Sequence, residues 1–316
     1  MSETNVLVTG TTGFIGSELA NKLIQEGFTV YGLVRHRSRP ATNIPNAVIT
    51  ITGDLLDHHS LRKAVKLSQP EYVFHTGAIT PVRHSYENPF IYEEINYRGT
   101  MNMVHASLES PVLKRFIHAS TMEVYKRQSK DTPLTEEDEL YGETPYGVSK
   151  VAAEHYVRVA GKCFGLPYTI LRPCNTYGRK TESGYLIEKI VTTMLGENSL
   201  TLDGRADLTR SFMYVSDHVE AYLSCLNPKA ESEVFNFSNK GVRIDMVVDT
   251  CRKLLNWEGE VKYGVNPRPS EAKVLVIDHS KASKILGWKP KVSLEEGLRL
   301  TINYWRKRKE KEEVSL

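Results

Sequence analysis

The sequence has little of what marks a membrane, secreted or nucleic-acid-binding protein. No stretch of its 316 residues approaches the roughly 18 uninterrupted apolar residues that a membrane-spanning helix needs. The first residues, Met-Ser-Glu-Thr, have neither the basic start nor the apolar core of a secretory signal. The formal net charge of +3 is too small to indicate a nucleic-acid partner. We therefore expect a cytoplasmic protein with no membrane or nucleic-acid partner.

Cysteine is also scarce, and its spacing argues against two common uses. The chain has no Cys-x-x-Cys pair and no histidine at ligand spacing beside a cysteine, so we expect free thiols and no metal. The four cysteines are Cys163, Cys174, Cys225 and Cys251. What remains is an ordinary globular composition, 40% hydrophobic and 25% charged, with enough length for one large domain or two coupled ones.

The first half of the chain alternates short β-rich runs with helical patterns. An amphipathic helix is predicted over Ile15–Glu26, and two longer helical stretches over Pro89–Ser107 and Tyr146–Phe164. This alternation is typical of a parallel sheet covered by helices. The predicted strands are Asn5–Thr9, Thr29–Val34, Ala47–Thr52, Tyr72–His75, Phe116–Ser120 and Tyr168–Arg172.

The order of these elements predicts an α/β fold with a doubly wound, Rossmann-type parallel sheet. Residues 1–173 would form the dinucleotide-binding domain, and a later segment at about 211–240 would rejoin it. Beyond Pro173 the pattern becomes irregular, with Gly, Pro and Asn between shorter elements. Residues 174–316 are therefore predicted to form mainly a smaller, discontinuous substrate-binding region.

The turn after the first strand has the pattern G-x-x-G-x-x-G. Small residues there let the backbone approach a pyrophosphate, and the helix that follows supplies N–H groups and a positive dipole. The alternative is an ordinary tight turn. It is less favoured because a predicted strand precedes the turn and an amphipathic helix follows it. The residues predicted to bind a dinucleotide at this turn are Gly10, Thr12, Gly13, Phe14, Ile15 and Gly16.

The end of the second strand bears on which dinucleotide binds. An acid there would contact the 2′-hydroxyl of NAD, whereas this chain has Arg35 and Arg37. Guanidinium groups suit a 2′-phosphate, so NADP is favoured and NAD remains possible. Asp54, just after the third strand, is placed to accept from the adenine amino group, or else it is only a turn former.

A tyrosine and a lysine lie four residues apart at the start of the second long helical stretch. Tyr146 and Lys150 would share one helix face, and a nearby ammonium lowers the pKa of a phenol, which lets tyrosine act as a base. The pair alone is common by chance. The signal becomes specific because the chain also has the glycine turn, the strand that leads to Thr121, and Asn96 in the preceding helical stretch.

With these motifs the sequence resembles the extended short-chain dehydrogenase/reductase family, in particular its epimerases and dehydratases of nucleotide sugars. The resemblance covers nearly the whole chain, and it implies NAD(P)-dependent oxidation of a nucleotide-diphosphate sugar at C4. Besides the glycine turn and the Tyr146 pair, the matching stretches include Gly53-Asp-Leu55, Asn96-Tyr-Arg-Gly-Thr100, Ala119-Ser-Thr-Met-Glu-Val-Tyr125, Leu171-Arg-Pro-Cys-Asn175-Thr-Tyr-Gly178 and Arg268-Pro269.

The resemblance also implies individual roles. Thr121 would hydrogen-bond the sugar 4-hydroxyl, Tyr146 would take its proton, Lys150 would hold the nicotinamide ribose, and Asn96 would brace the nearby helix backbone. Arg172 is interpreted as structural. Leu55 and Pro173 join the implied cofactor contacts. The implied substrate contacts are Asn175, Leu186, Arg210 and Arg268, whose forked arginine donors suit a diphosphate.

Two further substrate-side residues follow from position. His84 comes after the fourth strand, on the side where ligands bind in such sheets, which predicts a substrate contact. Glu123 stands two residues after Thr121, where the resemblance to sugar 4,6-dehydratases implies that it is the base that removes the C5 proton. The stretch with Arg35 and Arg37 is similar to that of GDP-mannose 4,6-dehydratases, which use NADP. Dehydration to a 4-keto-6-deoxy sugar, a lyase reaction, is therefore the favoured hypothesis.

Other reactions remain open. Met122 stands where dTDP-glucose dehydratases carry an aspartic acid, and a 4-epimerase, an isomerase, needs only Thr121 and Tyr146. UDP-glucuronate decarboxylases and 4-ketosugar reductases also carry a glutamate near position 123. A non-catalytic dinucleotide-sensing protein is a remote alternative that the intact Tyr146 and Lys150 pair disfavours. Finally, the two long helical stretches correspond to those that form a homodimer interface in the family.

Overall fold

A computed structural model describes residues 4–35, 44–127, 132–179 and 184–314 of the chain. Its strands are β1 (Asn5–Thr9), β2 (Thr29–Val34), β3 (Ile49–Thr52), β4 (Tyr72–His75), β5 (Arg115–Ala119), β6 (Tyr168–Pro173), β7 (Asn175–Tyr177), β8 (Ser199–Thr201), β9 (Thr209–Tyr214), β10 (Glu233–Phe237), β11 (Gly241–Arg243), β12 (Glu260–Lys262) and β13 (Val274–Leu275).

The helices, numbered in the same way, are α1 (Phe14–Gln25), α2 (His58–Ser68), α3 (Val82–Glu87), α4 (Pro89–Tyr92), α5 (Gly99–Ser107), α6 (Pro145–Phe164), α7 (Leu186–Met194), α8 (Val215–Ser224), α9 (Ile244–Leu255), α10 (Ser280–Leu286) and α11 (Leu294–Val314). A π-helical segment, Glu93–Arg98, joins α4 to α5, and short 3₁₀ turns cover Met122–Val124 and Pro228–Ala230. Every described helix is too short or too polar to cross a membrane.

Seven parallel strands form the main sheet, in the order β10-β6-β5-β4-β1-β2-β3. The α/β, doubly wound fold predicted from the sequence is thereby confirmed. The strand order reverses beside β1, which pairs with both β2 and β4. In such sheets a crevice opens at that point, outside the carboxyl ends of the strands, and ligands bind there.

The sheet is buried on both faces because its strands are almost wholly apolar. In β1, Val6 and Val8 pack into one hydrophobic cluster with α1 and α8, whereas Leu7 packs on the other side with α2, α5 and α6. Side chains of successive strand residues point to opposite faces, so a short apolar run fills both layers. The returning elements α8 and β10 belong to the later chain, and β10 forms the edge beside β6.

A smaller region follows β6 and lies against the carboxyl ends of the main strands. Its central strand, β9, pairs in parallel with β7 and β13 and antiparallel with β11, and β8 pairs with β12. The helices α7, α9 and α11 pack around a third hydrophobic cluster that includes Ile190, Leu200, Val247 and Leu298. Only one residue, Cys174, separates β6 from β7, so the main sheet leads directly into this region.

Most predicted bounds in the first half agree with the structure, and two differences have local causes. The third strand begins at Ile49 instead of Ala47 because a turn precedes it, in which the Val48 N–H donates to the Pro45 carbonyl. The stretch Pro89–Ser107 is helical throughout but contains the π-helical segment around Asn96. Such single-turn π segments are frequent at functional sites.

Candidate active site

A cleft of about 600 Å³ opens at the carboxyl ends of three neighbouring strands, β4, β5 and β6. Residues that follow these strands form one wall, and residues of β9, α7 and the segment around Arg268 form the other. Of the residues that the sequence predicted for cofactor, catalysis or substrate, the structure brings into this lining Ile15, Thr121, Glu123, Tyr146, Lys150, Pro173, Asn175, Leu186, Arg210 and Arg268.

The glycine turn lies beside the cleft and fits a dinucleotide. Gly10 has a φ of +73°, and a Cβ there would lie 2.9 Å from the Gly77 Cα. A Cβ at Gly16 would collide with the Gly10 carbonyl oxygen. Gly13 precedes α1, and no side chain caps the helix start. The backbone at the crevice is therefore close-packed by glycines, and uncapped helix N–H groups face the place where a pyrophosphate would bind.

The predicted adenosine contacts lie farther from the cleft. Arg35 is exposed at the end of β2, and Arg37 lies outside the described residues. One carboxylate oxygen of Asp54 accepts the Leu56 N–H at 2.9 Å, the contact of a turn-forming aspartate. Leu55 is partly buried and packs at the crevice beside Gly77.

The start of α6 positions Tyr146 on the floor of the cleft. Thr144 caps the helix by accepting the Gly147 N–H at 2.9 Å, and Pro145 occupies its first position. A Cβ at Gly147 would lie 2.6 Å from the Glu123 carbonyl oxygen, so only glycine lets the helix pack this closely on the turn after β5. This packing places the Tyr146 phenol close to the Thr121 side chain.

Asn96 in the π-helical segment ties this helix start to the loop after β4. Its amide Nδ2 donates to Ser149 Oγ at 3.0 Å and to the Ile79 carbonyl, and its Oδ1 accepts the Ile79 N–H at 2.9 Å. Ser149 in turn donates to the Tyr146 carbonyl at 2.7 Å. Asn96 thus braces both the cleft loop and the first turn of α6.

The electrostatics of the pair differ from what the sequence led us to expect. Burial raises the pKa of the Tyr146 phenol, and the nearby Thr121 hydroxyl only partly opposes this. Burial also lowers the pKa of Lys150 to about 8, against the attraction of Glu154. The polypeptide alone therefore does not show the expected lowering of the Tyr146 pKa, because burial disfavours the phenolate. Lys150 Nζ donates to the Ala119 carbonyl.

The opposite wall concentrates positive charge. Arg210 is buried and donates to the Ala272 and Thr209 carbonyls at 2.7 and 2.8 Å. Burial lowers its pKa to about 10, with Glu123 acting against this and Arg268 in the same direction. The two arginines therefore lie near one another and near the Glu123 carboxylate. Two guanidinium groups on one wall suit a dianionic diphosphate.

His84 is not brought into the cleft. Its ring is exposed, and its nitrogens contact the Tyr92 hydroxyl at 3.2 Å and the Asn88 side chain at 3.0 Å. His84 is therefore absent from the cleft lining, whereas the neighbouring Arg83 belongs to it. Residues after β4 do reach the cleft, but the sequence gives no sign of which side of the six-residue helix α3 faces it.

Several cleft residues escaped the sequence reasoning. Glu271, which pairs with Arg268 at 3.5 Å, follows it at a spacing that could have drawn attention. The others come from separate elements, and no local pattern unites them. The resemblance also covered Tyr185, but only its neighbour Leu186 was kept as a predicted contact. The charged and aromatic cleft residues that were missed include Arg83, Arg179, Asp203, His218, Tyr222 and Glu271. Arg172, read as structural, is fully buried and pairs with Glu154.

Comparisons with known proteins agree with this arrangement. The family model described as GDP-mannose 4,6 dehydratase matches residues 7–301. The dTDP-D-glucose 4,6-dehydratase of Mus musculus is 30% identical over 321 residues, which is 96% of this chain and 88% of that protein.

Two solved structures are similar over almost their whole length. UDP-glucose 4-epimerase from Thermotoga maritima, solved with UDP-glucose, has a TM-score of 0.90 and 32% identity, covering 96% of this chain and 99% of that one. UDP-glucuronic acid 4-epimerase from Bacillus cereus, solved with UDP-glucuronic acid and NAD, has a TM-score of 0.87 and 29% identity, with the same coverage. Both dehydratases and epimerases therefore share this fold and sequence pattern.

Proposed function

This chain belongs to the nucleotide-sugar epimerase and dehydratase group of the extended short-chain dehydrogenase/reductase family, and we propose that it oxidises a nucleotide-diphosphate hexose at C4 with a bound nicotinamide dinucleotide. The dinucleotide would accept hydride from C4 and later return it. Tyr146 would take the proton of the 4-hydroxyl, with Thr121 holding that oxygen. Lys150 would hold the nicotinamide ribose, and Asn175, Arg210 and Arg268 would bind the diphosphate.

The favoured overall reaction is 4,6-dehydration. The observation that supports it is the Glu123 carboxylate, which lines the same cleft as Thr121 and Tyr146. A ketone at C4 acidifies the C5 proton, which Glu123 would remove. The 6-hydroxyl would leave as water, with its proton supplied by Glu123. Return of hydride to C6, and transfer to C5 of the proton that Tyr146 took from the 4-hydroxyl, would give a 4-keto-6-deoxy sugar.

A 4-epimerase is the second candidate, and Met122 favours it. Met122 has no acidic group, and its side chain is buried in the hydrophobic core. This position therefore offers no acid for a leaving hydroxyl. The described cleft has two further carboxylates, and each lies within ion-pair distance of an arginine: Asp203 of Arg83, and Glu271 of Arg268. Epimerisation needs only Thr121 and Tyr146, together with a ketosugar that rotates in the site, so that hydride returns to its other face.

Product analysis separates these reactions. The purified protein would be incubated with GDP-mannose, UDP-glucose, dTDP-glucose and UDP-glucuronate, and the products identified by mass and NMR. Loss of one water supports the dehydratase, whereas unchanged mass with an inverted C4 supports the epimerase. Loss of carbon dioxide from UDP-glucuronate would indicate a decarboxylase. Dinucleotide binding without any product would instead favour a sensing protein.

The Glu123→Gln variant tests the role of the carboxylate in the dehydratase proposal. We expect the variant to oxidise C4 and accumulate ketosugar and reduced dinucleotide, because only the later elimination needs the carboxylate. Glu258→Gln, an exposed position outside the cleft, is the matched control. An unchanged rate of water loss in Glu123→Gln would contradict the assignment.

Two further proposals concern the cofactor and the assembly. Arg35 and Arg37, which follow β2 in the sequence, favour NADP, although the Bacillus cereus structure holds NAD. A homodimer through the helical stretch α4 to α5 and through α6 is supported by apolar side chains exposed there, notably Phe90 and Val159.

A further inference from the structure

One guanidinium group bridges the two halves of the cleft. Arg179 lies in the turn after β7, and its Cζ is 3.5 Å from the centre of the Tyr185 ring and 4.7 Å from that of Phe14. Phe14 is the first residue of α1, directly after the glycine turn. Tyr185 precedes α7 in the smaller region. A single cation thus contacts an aromatic ring on the dinucleotide side and another on the substrate side.

The position of Arg179 is fixed by its surroundings. Glu188 Oε1 accepts the N–H groups of Gly178 and Arg179 at 2.8 and 2.9 Å, and its other oxygen is 3.8 Å from Arg179 Nη1. Nη1 also donates to the Thr176 carbonyl at 2.7 Å. The Arg179 side chain is 14% exposed and the Glu188 side chain 1%. Cation–π contacts are stronger where water is excluded, so this stack is more than a surface contact.

A second contact joins the same two walls. The Tyr185 hydroxyl hydrogen-bonds to Thr80 Oγ1 at 3.0 Å, and Thr80 belongs to the loop after β4. Thr80, Arg179 and Tyr185 all line the cleft. A ligand that packs on the glycine turn would fix Phe14, and a ligand bound against α7 would fix Tyr185. Binding of either ligand would therefore order one of the two rings that stack on Arg179.

We infer that Arg179 couples the two binding sites, so that each ligand strengthens the binding of the other. The inference rests on the proposed function, because it takes the glycine turn as the dinucleotide site and the α7 side as the sugar-nucleotide site. Coupling of this kind is reciprocal: whatever factor the dinucleotide adds to nucleotide affinity, the nucleotide adds to dinucleotide affinity. Ordering of a shared element is sufficient to produce it.

Calorimetry without turnover tests the inference. UDP is titrated into the protein alone and into the protein saturated with NADPH, or with NADH if that binds more tightly. In the wild type we expect the dinucleotide to tighten UDP binding about fivefold or more. In Arg179→Gln the ratio of the two affinities should fall to about one. Arg299→Gln, on the exposed face of α11 and paired with Glu295, is the control and should keep the wild-type ratio.

The ratio is the decisive readout because a merely structural role for Arg179 would weaken each ligand separately and leave the ratio unchanged. A wild-type ratio that persists in Arg179→Gln overturns the inference, and so does the absence of any enhancement in a wild type that binds both ligands. If the wild type binds neither UDP nor a dinucleotide, the proposed function fails and the inference fails with it.

Ring variants keep the test decisive if Arg179→Gln does not fold, as judged by circular dichroism. Phe14→Leu and Tyr185→Leu each remove one ring and should lower the ratio. Tyr185→Phe removes only the hydroxyl that contacts Thr80 and should keep most of the coupling. Equal ratios in Tyr185→Leu and Tyr185→Phe would contradict a stacking role.

Discussion

Lys150 carries its charge in a place that disfavours it. Its side chain is buried, and on the neighbouring strands it faces the imidazoles of His118 and His75, whose pKa values burial and the Lys150 charge both lower. Glu154, one turn along α6, is the nearby group that raises the pKa of Lys150, yet burial still lowers it to about 8. A site that needs an ammonium for binding therefore holds it at a cost in stability.

This cost predicts that Lys150→Met is inactive but more stable than the wild type at pH 7. The folded-state pKa of about 8 lies below the ordinary 10.5, so the unfolded chain binds more protons between these values. The penalty is full below pH 8 and disappears as pH rises toward 10.5. After allowing for the lost hydrogen bond to Ala119, we expect a gain of about 2 kcal/mol at pH 7 in urea unfolding.

The control is Lys63→Met, at an exposed position on α2. It removes one positive charge that is not buried. The stability difference between the wild type and Lys150→Met should shrink from pH 8 upward, while that of the control should not follow this course. A Lys150→Met protein that is less stable than the wild type at every pH would refute the argument.

The buried phenol of Tyr146 predicts a second residue-scale effect. Because burial raises the pKa of Tyr146, cofactor-free protein should show no phenolate absorption from this residue near neutral pH. Removing the hydroxyl in Tyr146→Phe should lower kcat by about 10² to 10⁴ and leave KM nearly unchanged, since the ring still fills its place. Tyr263→Phe, outside the cleft, is the control. Full activity of Tyr146→Phe would show that another group takes the proton.

At the scale of elements, local pattern predicted the main sheet well. Strands such as β1 and β2 are short apolar runs between turns, and α1 and α6 repeat apolar residues at three and four, so neighbours in sequence carry the signal. The smaller region offers no such signal. Its strands β7 and β13 have three and two residues, and both pair with β9, which lies far away in the sequence.

The site was predictable where a motif is local and not where it is assembled from distant elements. Thr121, Tyr146 and Lys150 could be named because their spacing and resemblance are local. Arg179 and its aromatic partners come from three separate elements, so only the folded chain brings them together. The pKa of Tyr146 also depends on burial, which spacing alone does not reveal.

The end of β2 gives a prediction about cofactor choice. Replacing both Arg35 and Arg37 with alanine should weaken NADPH binding by about tenfold or more while changing NADH binding little, because only NADPH carries the 2′-phosphate. Fluorescence titration with the two reduced dinucleotides measures this. The control replaces Arg62 and Arg299, which form exposed ion pairs with Glu109 and Glu295. Equal weakening of both dinucleotides would contradict a 2′-phosphate contact.

At the scale of the whole molecule, the fold separates two tasks. The crevice beside β1 is built from backbone and glycines, which suits a cofactor common to many enzymes. The opposite wall is built from side chains of the smaller region, among them Arg210 and Arg268, and can vary from one enzyme to another without disturbing the sheet. This division explains why dehydratases and epimerases share the fold, and why sequence reveals the family more readily than the substrate.

The outer face of the helical layer predicts the assembly. Val148 and Val159 lie on one side of α6 and are 54% and 48% exposed, and Phe90 of the adjoining helical stretch is 80% exposed. Exposed apolar side chains on paired helices are the usual material of a two-fold interface. We therefore expect the wild type to sediment at twice 35.8 kDa at micromolar concentration.

Val159→Asp should shift the protein to the monomer, because a dimer would bury the new carboxylate. Val265→Asp, 58% exposed outside these helices, should remain dimeric. A wild type that sediments as a monomer would contradict the proposed interface.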